Sequence, residues 1–305
     1  MTVIKDAPLA NYTRFGIGGP ATVFYDTSEE AEFIDMLQEV LRSDTPHVVI
    51  GGGTNLVVSD AGFRGIVVRY TGRQIDCDGK KLRIEAGAVL QDLVDLSIAA
   101  GLKGLETMTG IPGYVGGAIY GNAGAYGHSI NEVVRRVRFF DGEQIRSFTN
   151  EQCRFSYRES VFKERKDWVI LSTDLELREG NAAELEKTAR EIRAIRDAKY
   201  PPSMKCAGSI FKNLFVAELP SPVVAKIPRG AIRDGKVASA WFLEQAGVKG
   251  MRWGDIQVAD YHANLIYNDG HGTARDLVAA ITELKRRVHE RWGFYLQEEV
   301  QYVGF

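Results

Sequence analysis

Between Gly101 and Gly127 the chain carries nine glycines in 27 residues. No ordinary helix or strand tolerates that density, because each glycine loses more backbone freedom on ordering than any other residue. The stretch therefore reads as irregular backbone, and an irregular segment this long inside a compact domain is as a rule functional. A flexible linker would be rich in serine, whereas Ile111, Pro112, Val115, Ile119 and Tyr126 are interleaved here and call for burial. Glycine-rich backbone of this kind can lie directly against a flat or extended ligand, with its N–H groups supplying the hydrogen bonds.

A smaller cluster lies upstream. Gly51, Gly52 and Gly53 are followed by Thr54 and Asn55, between apolar runs at His47–Ile50 and Leu56–Val58 that read as strands. Consecutive glycines can turn successive N–H groups into one concavity that holds phosphate oxygens. The functional reading is a pyrophosphate cradle, with the Thr54 and Asn55 side chains as extra donors. The alternative is a plain strand–turn–strand junction. No Gly-Lys-Ser/Thr follows, so this is not a P-loop. Leu56 stands where a Rossmann fingerprint needs its third glycine, and a strand follows where that fingerprint needs a helix. A dinucleotide bound here is held by some other fold.

The rest of the chain alternates helices and strands. Thr27 and Glu30 suggest a capping box ahead of a stripe of Phe33, Met36, Leu37, Val40 and Leu41. Ile66 to Arg69 and the Leu82, Ile84, Ala86 run read as strands, and residues 89–100 as a helix stopped by Gly101. Val133–Phe140 and Gln144–Phe148 form a hairpin about Asp141-Gly142. A strand at Trp168–Leu177 leads to a helix capped by Asn181 and closed by Pro201-Pro202, a candidate domain boundary. Beyond it come a short element at Ser209–Phe215, a helix near Ser239–Ala246 and a strand near Ala263–Tyr267. Thr273 then caps an amphipathic helix (Leu277, Ile281, Leu284, Val288), and Phe294–Tyr302 reads as the last strand. Leu219–Lys236, with three prolines and four cations, reads as an exposed loop. The class is α+β with mixed sheets, and 305 residues suit two or three domains.

Lys and Arg total 38 against 40 Asp and Glu, a formal charge of -2. A nearly neutral chain has no bulk electrostatic reason to bind nucleic acid or an anionic membrane. The three cysteines, Cys77, Cys153 and Cys206, are too far apart to suggest a disulfide framework, a zinc site or an iron–sulfur site. No metal is expected. The first ten residues lack the apolar core of a signal peptide, and no apolar run is long enough to span a bilayer. A cytoplasmic location is expected.

Five ordered segments carry a specific resemblance, in addition to the two glycine clusters. They are Asn11-Tyr-Thr-Arg-Phe-Gly-Ile-Gly-Gly19, Tyr157-Arg158-Glu159-Ser160, Ala207-Gly-Ser-Ile-Phe-Lys-Asn213, His262-Ala-Asn264 and Leu296-Gln-Glu-Glu-Val300. With them the chain resembles, over essentially its whole length, the UDP-N-acetylenolpyruvoylglucosamine reductase (MurB) family. The resemblance implies an FAD-binding fold of the vanillyl-alcohol-oxidase-like type in two subdomains, residues 1–69 and 70–200. The C-terminal strand, 293–305, is assigned to the second subdomain, and a smaller α+β substrate-binding domain spans 201–292. FAD is implied as cofactor, contacted by Gly51, Gly52, Gly53, Thr54, Asn55 and Leu56 from the first cluster. Gly110, Ile111, Pro112, Gly113, Gly116, Gly117, Asn122 and Gly124 are the implied contacts from the second. NADPH is implied as the hydride-donating co-substrate.

The implied reaction reduces an enolpyruvyl ether to a lactyl ether: a hydride from the flavin reaches the β-carbon, and the α-carbon beside the carboxylate is protonated. Such chemistry needs a fixed positive charge opposite the carboxylate, and a proton donor. Arg158 matches the family position for the first role and Ser209 for the second. Read without their motifs, they would be a surface arginine and a turn serine. Glu299 matches the family's acidic residue, either orienting Arg158 or sharing a proton with the intermediate. Glu298 is the alternative, on the opposite face of a strand. The resemblance implies that the three side chains act together at the isoalloxazine.

Lys199, Asn213, His262 and Tyr126 are the implied substrate contacts. The 51 positions from Arg158 to Ser209 leave no room for the tyrosine-bearing insertion of some family members, so the chain reads as the compact class. Its expected partners are the nucleotide sugar and NADPH, with no nucleic acid and no membrane, and the chain is read as a monomer. Two other functions compete with the reductase. One is an oxidase of the same fold, which would not need the Arg158, Ser209 and Glu299 set. The other is an inert flavin- or nucleotide-binding module, which would have no use for a proton donor.

Overall fold

The computed structural model describes residues 1–305. They divide into two compact units. The first comprises Met1–Ala7, Ala21–Gly53 and Arg64–Pro201, and the second Pro8–Pro20, Thr54–Phe63 and Pro202–Phe305. The chain thus passes from one unit to the other inside the first glycine cluster and again at the double proline.

The first unit is built on two sheets. One has four strands in the order Thr2–Pro8, Pro20–Thr27, Phe63–Tyr70, His47–Ile50, the last two parallel. Helix α1, Glu30–Arg42, lays Phe33, Met36, Leu37 and Val40 against Val68, Tyr70, Phe140 and Leu171. Its entry differs from the expected capping box: the helix begins one residue after Glu29. Thr27 Oγ1 accepts from the Glu29 N–H at 3.2 Å and donates to Glu32 Oε2 at 2.6 Å, so the threonine shapes the turn before the helix.

The second sheet has five strands in the order Ile145–Thr149, Val134–Phe140, Val169–Glu176, Lys81–Glu85, Ile75–Asp78, each neighbouring pair antiparallel. Helix α2, Leu90–Ala99, buries Leu90, Leu93, Val94 and Ile98 in the core that also holds Leu82, Ile84, Val137 and Phe139.

The glycine-rich stretch is less irregular than its composition suggests, because Val115–Tyr120 forms a six-residue helix, α3. External ties hold it: Val115 N donates to Ala88 O and Gly116 N to Ala86 O, both at 2.8 Å. Past α4, Val161–Glu164, and the strand at Val169–Glu176 lies α5, Ala182–Lys199. Asn181 Oδ1 caps α5 by accepting from the N–H groups of Ala183 and Glu184.

In the second unit the largest sheet has the order Lys205–Ser209, His262–Asn268, Ile256–Ala259, Arg252–Trp253. Three short strands, Leu214–Phe215, Lys236–Val237 and Ile232–Arg233, form a separate sheet. Residues 219–236 are therefore not a bare loop: they include α6, Ser221–Val224, and bury Val223 and Ile227. After α7, Ser239–Gln245, comes α8, Ala274–Trp292. It is capped by Thr273 and closed by Gly293 at φ +80°. Asp60 strengthens that cap by accepting from Ala274 N at 2.8 Å and Arg275 N at 2.9 Å.

The C-terminus corrects two expectations. The last strand is only Gln301–Val303, because the segment changes partners: Lys212 N donates to Gln297 O and Glu299 N to Ile210 O, whereas Gln301–Val303 runs parallel to Leu56–Val58. Its ladder is thus with residues 56–58 of the second unit, not with any strand of 70–200. No helix is long and apolar enough to cross a membrane.

Candidate active site

In the first unit the two glycine clusters abut. A Cβ built on Gly52 would lie 3.2 Å from the Gly113 Cα and 3.5 Å from the Tyr114 ring, so only glycine permits this approach without displacement. The N–H groups of Gly51, Gly52 and Gly53 donate to no acceptor within the chain, and Gly53 takes the left-handed φ of +63° that turns successive amides toward one point.

The second cluster is braced from behind. Leu90 N donates to Gly113 O at 2.9 Å, Ile111 N to Met108 O at 3.0 Å and Gly110 N to Gln91 Oε1 at 2.7 Å. Pro112 has no N–H to give. The amides of Gly113, Tyr114 and Gly117 have no acceptor within the chain, and a Cβ on exposed Gly117 would meet nothing within 4 Å. Unmatched donors beside an open glycine surface suit a dinucleotide, whose pyrophosphate accepts and whose ring is flat. Tyr114 is the residue the sequence reading missed. It lay inside the glycine-rich stretch, but nothing in the pattern said that it would meet the other cluster.

Arg158 belongs to the same unit and sits in the left-handed region at φ +60°, a conformation that costs a non-glycine residue about 1–2 kcal/mol. Reciprocal 3.1 Å hydrogen bonds between Ser156 and Glu159, and Lys163 Nζ donating to Arg158 O at 2.9 Å, hold the turn. The guanidinium donates from Nη2 to Gly124 O at 2.8 Å and lies 5.3 Å from the Tyr157 ring centroid. Asn122 Nδ2 donates to Ser156 O at 2.8 Å, and its Oδ1 accepts from Asn131 N at 3.3 Å. Asn122, Gly124 and Arg158 thus form one cluster, with Asn122 bracing the arginine's turn. Tyr126, two residues on, is 48% exposed. Lys199 ends α5 with Nζ 4.9 Å from the Tyr200 ring centroid.

In the second unit the sequence places Ser209 at a β-bulge. Cys206 pairs with Tyr267 but Ser209 with Leu265, so Ala207 and Gly208 together oppose one residue, Ile266. Gly208 takes φ +73° to absorb the extra residue. A bulge of this kind re-aims the side chain that follows it, here the serine. Cys206 is fully buried just before the bulge. Asn264 fixes Phe211, two residues past the serine: its Oδ1 accepts from Phe211 N and its Nδ2 donates to Phe211 O, both at 2.9 Å. Nδ2 also donates to Ser239 Oγ at 2.7 Å. Asn213 Oδ1 accepts from Ser239 N at 3.3 Å. His262 is half-buried at the start of the His262–Asn268 strand.

Glu299 lies beside the serine's strand, its N–H donating to Ile210 O at 2.7 Å. Asn55 joins it: Asn55 Nδ2 donates to Glu299 O at 3.0 Å, and Asn55 O accepts from Gln301 N at 2.9 Å. Thr54, Asn55 and Leu56 all belong to this unit, Leu56 opposite Gln301. The rival carboxylate is committed elsewhere: Glu298 Oε1 accepts from Lys285 Nζ at 2.7 Å, and Oε2 accepts from the Tyr302 hydroxyl. Burial, reinforced by Glu298, pushes the Tyr302 phenol above its ordinary range.

Residues 20–145 match the model of an FAD binding domain, and residues 200–303 match that of the UDP-N-acetylenolpyruvoylglucosamine reductase C-terminal domain. A curated UDP-N-acetylenolpyruvoylglucosamine reductase from Solibacter usitatus is 58% identical over 304 residues, covering 100% of this chain and 97% of the relative. The chain belongs to the UDP-N-acetylenolpyruvoylglucosamine reductase family. Another reductase of that name, from Caldanaerobacter subterraneus, is 34% identical over 299 residues, covering 97% of this chain and 92% of its own. The crystal structure of the Thermus caldophilus enzyme superposes with a TM-score of 0.77 at 29% identity, covering 99% and 98% of the two chains. As a member of the reductase family the chain has the FAD-binding α+β fold that the resemblance implied.

Proposed function

We propose that the chain reduces the enolpyruvyl group of UDP-N-acetylglucosamine enolpyruvate to the lactyl group of UDP-N-acetylmuramate, with FAD as cofactor and NADPH as reductant, in peptidoglycan precursor synthesis. The observation that carries this reading is the 58% identity to a reductase of that name along the full length. The unmatched amides of the two glycine clusters supply what FAD needs. Gly51, Gly52, Gly53, Gly113 and Gly117 are assigned to the cofactor, with Thr54, Asn55, Leu56, Gly110, Ile111, Pro112, Gly116, Asn122 and Gly124 supporting them. Residues 1–69 and 70–200 are assigned to the flavin and 201–292 to the nucleotide sugar. The location is proposed as the cytoplasm and the active species as a monomer.

FAD, when bound, supplies a hydride taken from NADPH to the β-carbon of the substrate's double bond. The protein must then manage the negative charge that builds at the α-carbon and its carboxylate. Arg158 is assigned to the carboxylate. Its guanidinium is fixed in advance by Gly124 O and the strained turn, and preorganised charge of this sort favours the transition state over the ground state. Ser209 is assigned as the proton donor to the α-carbon, which is basic enough to take a hydroxyl proton. A neutral donor also adds no second anion beside the carboxylate. Glu299 is assigned to orient Arg158 or share that proton. Lys199, Asn213, His262 and Tyr126 are assigned to the nucleotide sugar. The purified protein should be yellow and release FAD on denaturation, and its NADPH oxidation should depend on the enolpyruvyl nucleotide sugar. Oxidation that ignores the sugar would favour an oxidase.

A further inference from the structure

The second unit contains a buried lysine, Lys212, only 7% exposed. Ammonium groups are almost never buried without an anionic or multiply accepting partner. The backbone register identifies what shares its side of the strand. Phe211 and Glu298 form an isolated antiparallel bridge, flanked by Lys212 N donating to Gln297 O at 2.9 Å and Glu299 N donating to Ile210 O at 2.7 Å. That pattern makes Phe211 and Glu298 the non-hydrogen-bonded pair, with side chains on one face. The neighbouring residues, Ile210 and Lys212 on one segment and Gln297 and Glu299 on the other, project to the opposite face.

Lys212 and Glu299 are then diagonal neighbours across the pair, a separation that a long side chain spans. Three other carboxylates of the unit are engaged elsewhere. Glu298 is on the wrong face and holds Lys285 and Tyr302, Glu244 holds Lys249 and Asp269 holds Arg252. Ile210, on the same face, is fully buried and brings no polar group.

We propose that Lys212 is a positioning residue that pairs with Glu299 and fixes the direction of its carboxylate for the reaction. The proposal rests on the role given to Glu299 above. It explains why the motif that carries the proton donor also carries a lysine three residues on, at a position where a side chain chosen for packing alone would be apolar.

A double-mutant cycle tests it in two readouts, the denaturant midpoint of the purified protein and the rate at which the sugar reoxidises the NADPH-reduced flavin. The variants are Lys212→Met, Glu299→Gln and both together, with Lys212→Gln carrying the cycle should the methionine variant not fold. Each single change should lower the midpoint, and the double change should lower it by less than the sum, because removing both charges leaves neither stranded. Lys212→Met should slow reoxidation by about tenfold or more, and the double variant should be no slower than Glu299→Gln alone. Additive midpoints, or slowings that multiply, would overturn the pairing. Coupled midpoints with Glu299→Gln as fast as the unmodified enzyme would leave the pair standing and remove the role assigned to Glu299.

Discussion

Gly117→Ala separates the stability of the fold from the binding of its cofactor. Gly117 lies in α3, its φ is not positive, and an added Cβ would meet nothing within 4 Å. In the apoprotein the methyl therefore has no collision to cause, and alanine in a helix is favoured over glycine by about 0.5–1 kcal/mol. The apoprotein should be as stable as the unmodified chain or slightly more so. If the open surface at Gly117 is where FAD lies, the same methyl occupies volume the ligand needs. Overpacking by a methyl costs about 1–3 kcal/mol, which weakens binding about 5- to 150-fold. Urea unfolding of the apoprotein and titration with FAD, followed by flavin fluorescence, measure the two effects separately. Unchanged FAD affinity would refute the placement of the cofactor on this helix, and a destabilised apoprotein would refute the claim that the position is open.

Ser209→Ala should leave bleaching of the flavin by NADPH intact and slow its reoxidation by the nucleotide sugar roughly 100- to 10,000-fold, the usual worth of a positioned proton donor; equal loss in both half-reactions in rapid-mixing experiments would make the serine structural. Asp60→Ala removes the acceptor of two N–H groups at the start of α8 and should cost about 1–2 kcal/mol in urea unfolding. The amide of Gln144 first, with help from that of Glu143 and from Arg146, holds the Asp141 carboxyl down from 3.8 to about 2. A lowered carboxyl pKa contributes stability that is complete above 3.8 and disappears as the pH falls through about 2. Asp141→Asn should therefore flatten the dependence of the unfolding midpoint on pH across that interval, and an unchanged slope would mean the charge is not held in the fold.

Much of the architecture could be read from the chain because its signals are local. Asn181 and Thr273 announce their helices by cap chemistry alone, and Asp141-Gly142 fixes a hairpin by turn chemistry. The glycine clusters declared themselves through density, but that they abut through Gly52 and Gly113 is a long-range contact that no spacing encodes. The helix at Val115–Tyr120 was hidden for a related reason: its support comes from Ala86 and Ala88, against the local propensity of its glycines.

The candidate catalytic residues were legible only through their motifs. A bulge at Gly208, a left-handed Arg158 and a buried Lys212 are consequences of tertiary setting, invisible in residue type. The segment 297–303 misled the reading because its alternation suits one strand, while its hydrogen bonds go first to residues 210–212 and then to 56–58.

This chain passes two electrons from NADPH through bound FAD to an enolpyruvyl nucleotide sugar. That transfer can be followed in an anaerobic experiment on the purified holoenzyme, in which the flavin is reduced with one equivalent of NADPH and then mixed with UDP-N-acetylglucosamine enolpyruvate. The oxidised flavin spectrum should return, with one equivalent of UDP-N-acetylmuramate formed. A flavin that stays reduced until oxygen is admitted would contradict the account.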